Sequence, residues 1–246
     1  MSLHLLRFDP DLSRAAYWFA AEGLAPRDDA DDGYAWHALL AAVFGKDFAP
    51  KPFRLLARPG RPAQLLGYSG ADAATLQTRA ADFADPMAFA ALAIDTLASK
   101  PMPEFAAGRR LAFSARLRPT VRTDRGADRN KAREIDAFVA AQAAAPGHAM
   151  DRAAVYLDWT HRRLTAAGAE AEGLRIYGLD SIGIVRRGRP TPDRPRSLQR
   201  IPGHAMTVAG TLRVVDATAF AIAMARGLGR HRAFGYGMIL LSPAEP

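Results

Sequence analysis

The stretch of residues 227–243 reads GLGRHRAFGYGMILLSP, and it decides the predicted fold of the C-terminal half. Its glycines are Gly227, Gly229, Gly235 and Gly237, and they separate a helical pattern that ends at Arg226 from an apolar strand pattern at 238–242. Glycine permits a positive φ and lets backbone amides approach an anion closely. Arg230, His231 and Arg232 add positive charge. The stretch therefore predicts a helix–loop–strand corner that binds phosphate; the alternative is a turn that only makes a tight corner.

Basic residues are concentrated in three stretches of this chain, whose net charge is +8 and whose pI is near 10.3. The stretches are 109–133, 186–200 and 226–232. Clustered arginine favours bidentate contacts to phosphate, so the pattern predicts a nucleic-acid partner. An Arg-rich, Ala-rich composition is also what a GC-rich genome produces. The candidate RNA-binding residues are Arg116, Arg118, Arg122, Arg186, Arg187, Arg189, Arg194, Arg196, Arg200, Gly229, His231 and Gly235.

Composition excludes several other classes of protein. The chain has 246 residues and no cysteine, which rules out disulfides, thiolate catalysis and Cys-based zinc sites and suits the reducing cytoplasm. No signal peptide and no apolar segment of membrane-spanning length is present, so neither targeting nor membrane binding is expected. His4, His148, His161 and His204 lack ligand spacing, and the acidic run at 28–32 is interpreted as a solvated loop rather than a magnesium site. No metal is predicted.

The order of predicted elements repeats once along the chain. In the first half, strands are predicted at 3–8, 53–57 and 64–68, and helices at 11–23, 33–44 and 71–81; residues 88–99 are either helical, which propensity favours, or a closing strand. In the second half, strands are predicted at 111–118, 174–187, 205–214 and 238–242, and helices at 129–144, 151–167 and 216–226. Each half follows a β-α-β-β-α-β order. The prediction is therefore an α+β protein with two tandem ferredoxin-like (RRM-like) domains, 1–105 and 106–246.

Tyr34 and His37 are the candidate catalytic pair. They are three residues apart on a predicted helix, offset from the apolar stripe of Trp36, Leu40 and Val43, so both side chains are expected to face a groove. Histidine accepts and donates protons near neutral pH, and acid–base help of this kind is worth about 10² to 10⁴ in rate. The alternative is that both are ordinary boundary residues of an amphipathic helix.

Four segments resemble one family of CRISPR proteins. The C-terminal glycine-rich loop resembles that of the RAMP superfamily. YAWH at 34–37, FSARLRPT at 113–120, and KAREIDAF with VYLDWTHRRL at 131–138 and 155–164 are similar to the CasE (Cse3) branch, in the order in which that family has them. The resemblance implies a metal-independent endoribonuclease that needs no cofactor. Such an enzyme cleaves a CRISPR repeat hairpin by 2′-hydroxyl attack and leaves 2′,3′-cyclic phosphate and 5′-hydroxyl ends.

The resemblance also implies residue roles and partners. His37 would be the general acid or the general base, Tyr34 would orient the phosphate, and Arg230 and Arg232 would stabilise the charge on the phosphorane. The partners would be the precursor repeat hairpin, the mature guide RNA and other subunits of an effector complex. The chain departs from the family at Ala41 and Ala42, where a basic residue is often found. Lys46 or a loop arginine would replace it, or the chemistry would move to arginine or His231, as in a divergent type IV relative rather than a type I-E enzyme.

Two other functions fit parts of the pattern. A non-catalytic RAMP subunit that packages CRISPR RNA in an effector complex explains the fold and the loop, but it leaves Tyr34 and His37 without a role. A general RNA-recognition protein requires aromatic residues on two central strands, and Phe53, Tyr68 and Phe113 are too scattered for that.

Overall fold

The computed structural model describes residues 2–25, 30–122, 134–187 and 198–244. The first half consists of β1 (His4–Phe8), α1 (Leu12–Ala21), β2 (Ala30–Asp31), α2 (Gly33–Phe44), β3 (Phe53–Arg58), β4 (Arg61–Ser69), α3 (Ala73–Phe83), α4 (Pro86–Leu92) and β5 (Ala98–Pro101). The second half consists of β6 (Arg110–Leu117), β7 (Thr120–Arg122), β8 (Glu134–Asp136), α5 (Ala137–Ala144), α6 (Arg152–Ala166), β9 (Ala169–Ser181), β10 (Gly183–Arg187), β11 (Leu198–Ile201), β12 (His204–Val214), α7 (Ala217–Arg226) and β13 (Ile239–Pro243).

Both halves contain a four-stranded antiparallel sheet with the same strand order. The first sheet runs β3-β4-β1-β5 and the second runs β13-β6-β12-β9. In each half helices connect the first strand to the second and the third strand to the fourth. This is the ferredoxin-like order, so the predicted pair of ferredoxin-like folds is confirmed. The predicted division at residue 105 falls between β5 and β6 and stays a prediction.

Helix α2 is held by its apolar face. Trp36, Leu40 and Val43 are at most 2% exposed and pack in the core of the first half, as the three- and four-residue spacing predicts. The helix ends where Gly45 adopts a φ of 76°, a conformation that a side chain would disfavour. With that stripe buried, Tyr34 and His37 are left half-buried on another face of the helix.

The two halves are joined by backbone pairing and by long-range hydrogen bonds. β2 pairs in parallel with β10, which also pairs with β11, so a three-stranded sheet contains strands from both halves. The Tyr68 hydroxyl donates to the carbonyl of Ile239 at 2.7 Å, and Arg54 donates to Ser114 at 3.2 Å. The contact between the halves is therefore built into the fold, and any groove along it has a defined shape.

Three predicted elements are corrected by the structure. Residues 88–99 are not one helix, because α4 ends at Leu92 and β5 closes the first sheet. The helix predicted at 129–144 begins only at Ala137 within the described residues, because 134–136 form β8 and pair with β7. The long strand at 174–187 is divided into β9 and β10, which lie in different sheets. In all three places long-range strand pairing overrides the local pattern.

The basic segment at 186–200 is described only at its ends. Arg186 and Arg187 finish β10 opposite Gln199 and Leu198 of β11, so these strands form an antiparallel hairpin. Arg189, Arg194 and Arg196 lie outside the described residues. In the part of the chain that the structure describes, no helix has the length and apolar character that crossing a bilayer requires.

Candidate active site

The glycine-rich loop runs from the end of α7 to β13. Gly227, Gly229, Gly235 and Gly237 all have φ between 70° and 81°, as the sequence predicts for this corner. The Leu228 amide donates to the Gly237 carbonyl at 2.8 Å, and a Cβ on Gly237 would lie 2.4 Å from the Leu228 carbonyl oxygen. Glycine is required at that position by both the backbone angle and the close approach of the chain.

The start of α2 lies directly against this loop. A Cβ on Gly33 would lie 2.1 Å from the Phe234 carbonyl oxygen, so only glycine allows the helix and the loop to approach this closely. The Phe234 ring contacts the rings of Tyr34 and His37, each with centroids 5.6 Å apart. The centroids of Tyr34 and His37 are 6.4 Å apart. The structure thus brings the predicted catalytic pair of the first half to the predicted phosphate loop of the second.

His37 is in a setting that favours its neutral form. Burial lowers the pKa of His37, and the positive charge of Lys51 lowers it further. Because the usual pKa of histidine is about 6.5, a lowered pKa leaves the imidazole unprotonated near neutral pH. A neutral imidazole in a half-buried position beside a cationic loop is suited to accept a proton.

A groove of about 660 Å³ opens along the loop. In the described part of the chain, five charged side chains line it, Lys51, Glu134, Arg226, Arg230 and Arg232, together with His231 and Phe234. Four of the five are cations, so the groove favours an anion. Arg232 is exposed and donates to the Arg226 carbonyl at 3.0 Å. Of the two predicted replacements for the missing basic residue, Lys46 or a loop arginine, the loop arginines Arg230 and Arg232 line the groove, and so does Lys51, which was not predicted.

Glu134 is the acid of the groove, and it pairs with two loop residues. Arg230 donates to its carboxylate at 2.6 Å, and the Nε2 atom of His231 contacts its other oxygen. Desolvation alone would raise the pKa of Glu134, but the hydrogen bonds and charges of His231 and Arg230 outweigh it and lower the pKa to about 2. Glu134 is therefore ionised at any physiological pH. The sequence analysis did not identify it.

Asp31 anchors the loop from the first half. It is 4% exposed and accepts hydrogen bonds from the Gly33 amide at 2.8 Å and from the Tyr236 hydroxyl at 3.0 Å. Arg116 pairs with it at 2.9 Å. The solvated acidic loop expected at 28–32 is therefore wrong at Asp31; Asp28 and Asp29 lie outside the described residues. Burial raises the pKa of the neighbouring Asp32, although a hydrogen bond from the Trp36 indole opposes this.

The predicted RNA-binding arginines lie in different environments. Arg118 is 3% exposed and donates to the carbonyls of Ile182 and Pro202 at 2.8 and 3.3 Å, which contradicts its assignment as a phosphate contact and gives it a structural role. Arg116 is mostly buried in its pair with Asp31. Arg122 and Arg200 are exposed, at the end of β7 and on β11. Gly229 lines the groove, and Gly235 is buried at its φ of 80°.

Among the described residues, no three His, Cys, Asp or Glu side chains come close enough together to hold an ion. The expectation that no metal is used stays a prediction.

The fold and the groove together define a protein of two ferredoxin-like halves, in which a Tyr–His helix faces a cationic glycine-rich loop. A family model described as "CRISPR associated protein" matches residues 3–243. The chain belongs to this family of CRISPR-associated proteins, and the predicted family resemblance is confirmed.

Solved structures show the same fold at low sequence identity. Cse3 bound to a 19-nucleotide RNA is 20% identical with a TM-score of 0.62, covering 99% of this chain and 100% of that one. Thermus thermophilus Cse3 bound to an RNA representing a pre-cleavage complex is 19% identical with the same TM-score and coverage. A chain of a CRISPR RNA-guided surveillance complex in a pre-nicking state is 18% identical with a TM-score of 0.54, covering 98% and 100%. No curated protein sequence matches this chain.

Proposed function

We propose that this protein is a metal-independent endoribonuclease that cleaves CRISPR repeat hairpins in precursor RNA and retains the mature guide RNA. The observation that carries the proposal is His37, a half-buried histidine with a lowered pKa that contacts the cationic glycine-rich loop. Membership of the CRISPR-associated family and the fold shared with RNA-bound Cse3 support the choice of substrate. By the same analogy its partners are the repeat RNA and other subunits of an effector complex, in the cytoplasm.

The chemistry needs only proton transfer and charge stabilisation. The ribose 2′-oxygen loses its proton and bonds to the adjacent phosphorus, the bond from phosphorus to the 5′-oxygen breaks, and that oxygen gains a proton. His37 transfers one of these protons, and Tyr34 orients the phosphate. Arg230, Arg232 and Lys51 face the negative charge that develops on the phosphorane. The products are a 2′,3′-cyclic phosphate and a 5′-hydroxyl.

The rest of the hairpin would be bound by charge and shape. An A-form stem presents phosphates and 2′-hydroxyls rather than readable base edges. Arg122 and Arg200 are exposed basic residues outside the groove, on β7 and on β11 of the β10–β11 hairpin. We expect the β10–β11 hairpin of the protein to lie along the RNA stem. Binding should therefore weaken steeply as salt increases.

Cleavage of the cognate repeat RNA in EDTA tests the activity. We expect cleavage to persist without metal, to stop when the nucleotide at the cut carries no 2′-hydroxyl, and to fall about 10²- to 10⁴-fold in His37→Ala. The matched control is His161→Ala, which removes an exposed histidine on α6. Tight binding of intact RNA without cleavage would instead identify a non-catalytic RAMP subunit. A His37→Ala rate close to that of the wild type would move the chemistry elsewhere.

A further inference from the structure

The glycine-rich loop contains a residue whose backbone conformation favours glycine but which is not glycine. His231 has a φ of 60°, in the same left-handed region as Gly227, Gly229, Gly235 and Gly237 around it. This region is unfavourable for a residue with a side chain, although histidine tolerates it better than most residues do. Glycine would make the same turn without that cost. The side chain of His231 therefore has a use that offsets it.

The imidazole of His231 is held on two sides. Its Nε2 atom hydrogen-bonds to Glu134, and its ring stacks on Phe234 with centroids 6.1 Å apart and an interplanar angle of 28°. The side chain is only 9% exposed, yet it belongs to the lining of the groove. A carboxylate that accepts a hydrogen bond from one ring nitrogen fixes the orientation of a histidine and stabilises its positive charge. Nδ1 is then the nitrogen left for proton transfer.

The same phenylalanine connects His231 to His37. The ring of Phe234 contacts both imidazoles, His231 by stacking and His37 edge-on at 66°. Among the described residues, the charged groups that line this region are Glu134 from β8, Arg226 from α7, Arg230 and Arg232 from the loop, and Lys51 from the first half. The site thus places two histidines from different halves against one phenylalanine of the anion-binding groove, which His231 itself lines. Of the two, only His231 has a carboxylate partner among the described residues.

We propose that His231 is a second proton-transfer residue of this site, acting with His37 and positioned by Glu134. The inference rests on the proposed ribonuclease function. His37 takes the proton of the 2′-hydroxyl on its ring nitrogen as the 2′-oxygen bonds to phosphorus. His231 gives the proton of Nδ1 to the 5′-oxygen as the bond from phosphorus to that oxygen breaks. One proton is accepted and one is donated, so the step balances without metal or added reactant.

The electrostatics assign the two roles in this direction. Burial and Lys51 lower the pKa of His37, which keeps it neutral and able to accept a proton. Glu134 stays ionised, and its carboxylate contacts Nε2 of His231, so it is placed to be the counter-charge of the imidazolium that a general acid must be. The proposed base therefore lies near a cation and the proposed acid beside an anion, as the two roles require.

An RNA with sulfur in place of the 5′-bridging oxygen at the cut separates a general acid from a structural residue. A thiolate leaves without being protonated, so loss of the general acid no longer matters. We expect His231→Ala to cleave normal RNA about 10²- to 10⁴-fold more slowly under single-turnover conditions and to recover most of that loss on the sulfur substrate. His37→Ala should not recover, and His161→Ala should cleave both substrates at the wild-type rate.

The positioning role of Glu134 is tested by Glu134→Gln. Without the carboxylate that contacts Nε2 the imidazolium loses its counter-charge, so the alkaline limb of the pH–rate profile, measured for single turnovers at saturating RNA, should move to lower pH. A His231→Ala rate that equals the wild type, or a defect that the sulfur substrate leaves in place, overturns the inference while wild-type cleavage still supports the proposed function. Recovery by His37→Ala instead would reverse the two roles. A wild-type protein that cleaves neither substrate would refute the function itself.

Discussion

The two walls of the site, the start of α2 and the glycine-rich loop, come from different halves and differ in how they handle charge. The wall from α2 presents Tyr34 and His37, half-buried rings that contact Phe234. The wall from the glycine-rich loop presents Arg230 and Arg232, both exposed, and His231, and it includes Glu134 as a counter-charge. Burial on the α2 side lowers the pKa of His37, whereas the exposed arginines on the loop side attract an anion.

This difference explains why the site needs both halves. A cationic loop alone binds RNA but lacks a neutral base, and a buried histidine alone has nothing to hold a phosphate beside it. The two walls are held in register by Asp31, which accepts from Tyr236 of the loop and pairs with Arg116 of β6.

The largest effect is expected from Asp31→Ala. The substitution leaves Arg116 and the Tyr236 hydroxyl without their acceptor in a buried setting, and breaking one partner of a buried ion pair costs about 3–5 kcal/mol. Urea unfolding followed by circular dichroism measures it. Asp47→Ala, an exposed aspartate in the turn after α2, is the control and should change stability by less than about 0.5 kcal/mol. Equal stabilities for the two variants would show that the walls are held by other contacts.

A smaller loss is expected from Tyr236→Phe. The ring and its packing remain, and only the hydroxyl that donates to Asp31 is removed, so the cost is about 1.5–3 kcal/mol for a hydrogen bond to a charged group. Tyr177→Phe is the matched control because Tyr177 is 70% exposed on β9. If the anchor also aligns the walls, Tyr236→Phe should slow RNA cleavage and Tyr177→Phe should not. Identical unfolding midpoints for the two variants would contradict the role of the hydroxyl.

The fold was predictable because its signals are local. The stripe of Trp36, Leu40 and Val43 and the alternating pattern of β6 depend on neighbours a few residues apart. The errors occurred where pairing with residues far away in the sequence determines the local structure. β8 replaces part of a predicted helix because it pairs with β7 across residues 123–133, and no local pattern reports such a pairing.

In the site, too, residues marked by local patterns were predicted and residues defined by long-range contacts were not. Tyr34 and His37 were predicted through the family resemblance and the loop glycines through their spacing, whereas Lys51, Glu134 and Asp31 were missed or misinterpreted. Glu134 contacts a residue 97 positions away, and Asp31 contacts one 205 positions away. Arg118 shows the converse error, because its charge suggested RNA although its guanidinium is buried among backbone carbonyls. A charged side chain needs a group to pair with, but only the fold shows whether that group belongs to RNA or to the protein itself.

The smallest expected effect is a difference in how the two walls respond to acid. The pKa of Glu134 is lowered from its usual 4.5 to about 2, so its contribution to stability is present above about pH 4.5 and is lost as pH falls toward 2. The pKa of Asp32, beside α2, is raised by burial, so protonation of Asp32 favours the folded state and its effect has the opposite sign. Urea midpoints between about pH 6 and about pH 3 should therefore fall less steeply in Glu134→Gln than in the wild type and more steeply in Asp32→Asn. Parallel curves for all three proteins would show that folding shifts the pKa of neither Glu134 nor Asp32.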